Sequence, residues 1–180
     1  MTLAATYGLL AWGMILGSIA GFLPLDDKKR QQYLLAGTAI AMFGLAPSFH
    51  GAFGAPSLTL LQIALWRQFR PEGSAPLLSP KVATGLLGWA AVFYPTALGF
   101  GPVDPYALGY AAWPVALLTL PLAALAWRQG RPAWLVVIAI DLLGYAVGLF
   151  GNLWDTLADP VLVVLALLVA AVHQVRRYKR

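Results

Sequence analysis

Asp141 has the most unusual setting of the acidic residues, because long apolar runs flank it on both sides. In a helix that begins after Arg131 it would lie about 15 Å deep, near the middle of a hydrocarbon core about 30 Å thick. A carboxylate at that depth is costly and marks a functional site by default. It would carry a proton in a transporter or orient a solute's donors in a channel. The alternative is that Asp141 only locks helices together through a hydrogen bond.

Polar residues continue from Asp141 along one face of this helix. At about 100° per residue, Tyr145, Gly148 and Asn152 lie within about 40° of that face. A longer helix would extend the stripe through Asp155 and Asp159 to the outer surface. Trp89 and Trp113 lie deep in other apolar segments, where they would pack or line a pore. The sequence therefore predicts a substrate path lined by Asp141, Tyr145, Asn152, Trp89 and Trp113.

A second polar group is predicted at the outer rim: His50, Asp104, Asp155 and Asp159. A histidine with carboxylates supports a metal or acid–base site if the residues converge. We favour a solvated rim, and we therefore predict no metal site, no catalytic residue and no cofactor. The absence of cysteine excludes thiol redox chemistry and iron–sulfur clusters. The two histidines are too far apart to bind one haem from both sides.

Glycines four residues apart mark two helix-packing faces. Gly13, Gly17 and Gly21 form a double GxxxG pattern, and Gly144 and Gly148 repeat the spacing. Small residues at this spacing let a second helix approach closely. The partner is either another helix of the same bundle or a second subunit, and the sequence leaves both interpretations open.

The composition indicates which solvent surrounds these elements. Hydrophobic residues make up 60% of the 180 residues and charged residues 11%, whereas a soluble domain carries about 25% charged residues. We therefore expect a bilayer. The net charge of +5 does not indicate nucleic acid, because the basic residues form no aromatic-interleaved patch. Anionic headgroups are the expected partner of the basic loops.

Apolar stretches predict an all-α integral membrane bundle. Six are clear spans and a seventh, Pro56–Phe69, is short. The predicted segments are Leu3–Leu23, Tyr33–Phe49, Pro56–Phe69, Val82–Phe100, Tyr106–Trp127, Trp134–Gly151 and Pro160–Gln174. Residues 1–180 are thus expected to form a single transmembrane domain.

Basic residues decide the topology, because they occur only in short clusters between these segments. With seven spans every cluster falls on one side, as the positive-inside rule requires. The clusters are Lys28 to Arg30, then Arg67, Arg70 and Lys81, then Arg128 and Arg131, then Arg176 to Arg180. We predict a multi-pass protein of a bacterial-type inner membrane, with the N-terminus outside and the C-terminus in the cytoplasm.

Two regions resemble the AmiS/UreI family of urea and amide channels. The first is Gly17-Ser-Ile-Ala-Gly21 with Asp26, Lys28 and Gly37; the second is Ala83-Thr-Gly-Leu-Leu87 with Tyr94, Asp104, Val115-Ala116 and Pro121. The resemblance implies an oligomeric channel with aromatic side chains along a narrow pore. The chain lacks the asparagines that the family carries in its first and third spans. The family also has six spans with both ends outside, whereas the charge pattern predicts seven.

Together these patterns predict a small-solute channel or permease for urea, a short amide or a similar polar solute. The alternative is a non-catalytic membrane subunit or assembly factor that binds a partner subunit or a second copy. An intramembrane enzyme ranks third, because it needs His50 and the rim aspartates to converge.

Overall fold

The computed structural model describes residues 2–19, 27–69 and 74–178, in which all regular structure is helical. The predicted all-α class is confirmed. The chain divides into two compact units, residues 1–76 (unit 1) and residues 77–180 (unit 2). The single transmembrane domain with seven spans stays a prediction.

Unit 1 is built around its first helix. Its helices are α1 (Leu3–Gly17), α2 (Asp27–Phe43), α3 (Leu45–Phe53) and α4 (Leu58–Phe69). The helix α1 packs against the other three. Between α2 and α3 the chain bends by 65°, at Gly44. Pro47 explains the break, because a proline ring clashes with the carbonyl group four residues earlier, here that of Phe43.

Unit 2 contains four longer helices and two short ones. They are α5 (Pro80–Ala97), α6 (Leu108–Ala111), α7 (Trp113–Arg128), α8 (Pro132–Ala146), α9 (Leu153–Leu157) and α10 (Pro160–Tyr178). The predicted segment Tyr106–Trp127 is interrupted at Ala112, whose φ of 57° lies in the left-handed region. Pro114 accounts for this break, because its ring excludes a helical bond to the carbonyl group of Tyr110.

The longer helices of unit 2 pair in opposite directions. The pairs are α5 with α10 and α7 with α8. The rings of Trp89 and Phe93, in the second half of α5, contact the ring of Trp154, shortly before α10 begins. A tight turn joins α7 to α8. Consequently α5 and α8 begin at the end of the unit where α7 and α10 finish.

Helix lengths support only part of the predicted span count. Among the described residues, the stretch Leu153–Tyr178 is long and apolar enough to cross a membrane. The bent pair Gln31–Phe43 and Leu45–Phe53 also qualifies if it counts as one span. Three further apolar helices, Leu3–Gly17, Trp113–Arg128 and Pro132–Ala146, are shorter than a standard span, which needs about 20 residues.

Candidate functional site

Asp141 lies inside unit 2, with 1% of its surface exposed. It shares the buried face of α8 with Val137 and Gly144, and α8 packs against α7 and α9. Thr119 is the buried polar residue of α7, and its hydroxyl donates to the Ala116 carbonyl at 2.7 Å. A carboxylate thus faces the interior from a helix that is otherwise almost entirely apolar.

The predicted stripe beyond Asp141 leaves the helix after one turn. Tyr145 is half-buried, and its hydroxyl donates to the Tyr110 carbonyl at 3.3 Å. The helix α8 then ends at Ala146, and Gly148 adopts a φ of 75°. Only glycine adopts this backbone conformation without strain. Asn152 is therefore reached through a turn and does not lie on the same helical face as Asp141.

Asn152 fixes the position of α9. It has 1% of its surface exposed, and both ends of its amide are used. Its Oδ1 atom accepts from the Trp154 backbone N–H at 2.9 Å, and its Nδ2 donates to the Tyr106 carbonyl at 3.0 Å. A Cβ atom on Gly109 would overlap Oδ1 of Asn152. This contact explains why α6 carries glycine at this position.

Tyr106, in the turn just before α6, forms a second link to α9 through Asp155. The Tyr106 hydroxyl lies 3.0 and 3.1 Å from the two carboxylate oxygens of Asp155. Nearby, the Trp154 indole N–H donates to the Pro105 carbonyl at 2.9 Å. The segment from Pro105 to Gly109 and the helix α9 therefore form one junction, which we call the α9 junction.

Burial sets the electrostatics of the α9 junction, which lies before the start of α10. Burial raises the pKa of Asp155 above its usual value, the hydrogen bond from Tyr106 opposes this, and the charge of Asp159 adds to it. Burial, together with the Asp155 carboxylate, also raises the pKa of Tyr106. Tyr106 therefore acts as a donor, and Asp155 takes up a proton more readily than an exposed aspartate.

The other two rim aspartates act as backbone caps. The Asp159 Oδ1 atom accepts from the Leu162 N–H at 2.9 Å at the start of α10. The exposed Asp104 accepts from the Tyr106 N–H at 2.9 Å. Both contacts satisfy N–H groups that helices and turns leave unpaired at their ends.

Trp89 packs into an aromatic cluster next to the α9 junction. Its ring centroid lies 4.5 Å from that of Phe93 and 5.6 Å from that of Trp154. Tyr94 lies at the edge of the same cluster. Trp113, by contrast, has 67% of its surface exposed. Of the two tryptophans predicted for the path, Trp89 is thus packed within unit 2 and Trp113 is on its surface.

His50 belongs to unit 1, in α3, whereas the three rim aspartates belong to unit 2. Its imidazole packs on Gly8, where an added Cβ would meet the ring. Its buried Nδ1 atom has no hydrogen-bond partner within residues 2–19, 27–69 and 74–178. Over those same ranges, no three His, Asp or Glu side chains come together as a metal-binding group.

The predicted packing glycines of α1 are used inside unit 1. A Cβ on Gly17 would lie 2.7 Å from the Thr38 nitrogen and 2.9 Å from the Leu34 oxygen, and one on Gly13 would meet Met42. Gly144 is buried, whereas Gly148 lies exposed in the turn after α8. Gly21 lies outside the described residues. For α1, the structure favours internal packing over a subunit interface.

Apart from Asp141, the charged residues of unit 2 that the structure describes lie at its two ends. Lys81, Arg128, Arg131, Arg176 and Arg177 lie where α5 and α8 begin and α7 and α10 finish. Asp104, Asp155 and Asp159 lie at the opposite end. In unit 1, Lys28 and Lys29 in the first turn of α2 and Arg67 near the end of α4 are likewise distant from the end that holds His50.

Sequence reasoning missed the partners that make the α9 junction. Tyr106, Gly109 and Trp154 were not among the predicted site residues. A local signal for α9 exists, because Asn152 followed by Leu-Trp-Asp fits a helix cap. The contact between Asn152 and Tyr106 joins residues 46 positions apart in the sequence. No periodic pattern in the sequence predicts that contact.

Comparison of the chain with protein-family models, with curated proteins and with solved structures finds no match.

Proposed function

We propose that the chain is a membrane-embedded permease or channel that passes a small polar solute, or a proton, along the interior of unit 2. The observation that carries the proposal is Asp141. Its carboxylate is almost fully buried in the middle of an apolar helix, beside a helix with a buried Thr119. Such a group is expensive to hold in an apolar setting and marks a solute or proton path by default.

Exposed apolar surface supports a membrane location. The helix α7 exposes a dense set of leucines: Leu117, Leu118, Leu120, Leu122 and Leu125. In the stretch Leu153–Tyr178, 17% of the most apolar window is buried, whereas the core helix of a soluble protein is mostly buried. Lipid would cover these surfaces. The separation of charge in unit 2 supports an orientation in which the end that carries its basic residues faces the cytoplasm.

The side chains of Asp141, Tyr145 and Asn152 have different roles along this path. Asp141 accepts hydrogen bonds from the N–H groups of urea or a short amide, or it carries a proton. The Tyr145 hydroxyl lies one turn closer to the end of unit 2 that holds Asp104, Asp155 and Asp159. Asn152, with both ends of its amide bonded to backbone, supports the α9 junction and does not present a free group to a solute. The resemblance to urea and amide channels agrees with this solute class.

Flux through reconstituted vesicles tests the proposal. Urea, acetamide and proton uptake would be measured for the native chain, for Asp141→Asn and for Asp104→Asn. The last is a matched control, since it makes the same change at an exposed carboxylate. We expect Asp141→Asn to lower flux at least tenfold, which is about 1.4 kcal/mol, and Asp104→Asn to leave it unchanged. Equal flux in all three proteins would contradict the assignment of Asp141.

A second candidate function is a non-catalytic membrane subunit. Gly85 and Gly88 of α5 favour it, because both are exposed and an added Cβ would meet nothing within 4 Å. Small residues on an outer helix face allow a partner helix to approach closely. Purification of a stoichiometric partner that is lost on Gly85→Leu, with no flux by the isolated chain, would favour this function.

A further inference from the structure

Unit 2 ends in a surface that carries only positive formal charge, which we call the basic end. It comprises Lys81, Arg128, Arg131, Arg176 and Arg177. The four aspartates of residues 77–180 lie elsewhere: Asp141 is in α8, and the others are at the opposite end. No acidic side chain of unit 2 therefore offsets these charges locally, and the surface attracts anions.

Arg131 connects the starts of two helices at the basic end. Its guanidinium donates to the Ser79 hydroxyl at 3.4 Å. Ser79 precedes α5 and Arg131 precedes α8, so this contact joins the starts of two helices. Lys81 follows two residues after Ser79. The geometry thus holds charges from both helix pairs of unit 2 at one surface.

Exposed aromatic side chains adjoin the basic residues. Trp127 has 71% of its surface exposed and precedes Arg128, and Tyr178 has 94% exposed and follows Arg177. Tryptophan and tyrosine prefer the headgroup level of a bilayer. Beyond Trp127, the exposed Leu122 and Leu125 continue along α7. Cations, aromatic rings and apolar side chains therefore follow one another along the same helix.

We propose that the basic end is a docking surface for anionic phospholipids, with the lipid phosphate at Arg128 and Arg131 and the acyl chains along α7. This surface goes beyond solute permeation and rests only on the membrane location in the proposed function. The order of charge, aromatic ring and apolar side chain matches the order of phosphate, glycerol and acyl chain in a lipid. A nucleic acid or a free phosphate would use the cations alone.

Lipid binding to the purified full chain in a neutral detergent tests the proposal. Phosphatidylglycerol or phosphatidylcholine would be added, and bound lipid would be counted by native mass spectrometry alongside the thermal unfolding temperature. The variants are Arg128→Gln with Arg131→Gln, and separately Arg176→Gln with Arg177→Gln. The second pair keeps the Arg131 to Ser79 contact intact. Arg128→Lys with Arg131→Lys is the control that retains charge.

We expect phosphatidylglycerol to bind more tightly than phosphatidylcholine and to raise the unfolding temperature more. Removal of one basic charge near a lipid surface should weaken the preference for phosphatidylglycerol about fivefold. Each double Gln variant removes two charges and should therefore weaken this preference about thirtyfold. The Lys control should retain it. High salt should reduce the preference in the native chain, since exposed charges are screened.

Three outcomes would overturn the proposal. The first is equal binding of the two lipids by the native chain. The second is an unchanged lipid preference in the Arg128→Gln with Arg131→Gln variant. The third is an equal rise in unfolding temperature with inorganic phosphate, which would assign the surface to a free anion. Flux measurements distinguish this proposal from the proposed function. A chain that binds phosphatidylglycerol but transports no solute would contradict only the solute path.

Discussion

The two units hold their helices together in different ways. In unit 1 two backbones come close together, where Gly17 of α1 meets Gly37 and Thr38 of α2. In unit 2 the corresponding contact is made by a side chain, where Asn152 lies against Gly109 and bonds to two backbone groups. Both units bury polar side chains, but the buried carboxylate among the described residues, Asp141, belongs to unit 2. The comparison directs the search for function to unit 2.

The largest loss of stability is expected from Asn152→Ala in unit 2. This change leaves the Trp154 N–H and the Tyr106 carbonyl without their partner, and each such group costs about 1–3 kcal/mol. The free energy of unfolding in mild detergent should fall by about 2–4 kcal/mol. Asn152→Ser keeps a neutral side-chain acceptor that can cap the Trp154 N–H and should cost less. A loss equal to that of Ala would mean that the cap contributes nothing.

Gly17→Ala measures the backbone contact of unit 1. An added Cβ would press on the backbone of Thr38 and Leu34, and overpacking costs about 1–3 kcal/mol. Gly51→Ala is the matched control in the same unit, because its Cβ would meet nothing within 4 Å. The control should be neutral or stabilising by up to about 1 kcal/mol. If both variants behaved alike, close helix approach would not distinguish unit 1.

The pH dependence of unit 2 should change with Asp155. Because the folded-state pKa of Asp155 is raised from 3.8, folding favours its protonated form. Its contribution is most favourable below 3.8 and is lost as pH rises through the higher folded-state pKa. Asp155→Asn, which retains an acceptor for Tyr106, should flatten this part of the pH profile.

The matched variant for that profile is Tyr106→Phe. It removes the hydrogen bond that lowers the pKa of Asp155, so the loss of stability should extend to higher pH. Unfolding temperatures measured from acid to neutral pH would show both effects. Parallel profiles for the native chain and Asp155→Asn would exclude Asp155 as the titrating group.

The smallest effect is expected from Thr156→Val. Thr156 is fully buried, and its hydroxyl has no hydrogen-bond partner in the part of the chain that the structure describes. Removing an unpaired buried hydroxyl should leave stability unchanged or raise it by up to about 1 kcal/mol. Thr119→Val removes a bonded hydroxyl and should lose about 1 kcal/mol. A clear loss in Thr156→Val would reveal a partner, such as a bound water.

Apolar run lengths predicted helices well, because the composition of a helix is a property of many consecutive residues. Each predicted segment overlaps a helix, and the short Pro56–Phe69 segment contains α4. The helix breaks caused by prolines were harder to predict from the sequence. Pro47 and Pro114 divide two predicted segments, since a proline acts on the carbonyl group four residues earlier and leaves the apolar pattern intact.

The site was predictable only where one residue type carried the signal. Asp141 stands out because a carboxylate in an apolar run is unusual, and the structure buries it. The predicted stripe to Asn152 assumed a longer helix, whereas α8 ends at Ala146. Tyr106 and Trp154 became relevant only through contacts that span about 49 residues, and helical periodicity carries no record of such pairs.

By itself, the sequence determined the helical class, the buried carboxylate and the order of charged loops, because each follows from composition over a short stretch of chain. Tertiary structure alone decided that α1 uses its glycines within unit 1 and that Asn152 holds the α9 junction. Those two results depend on which distant segments meet, and pairing is set by the packing of whole helices rather than by any local pattern.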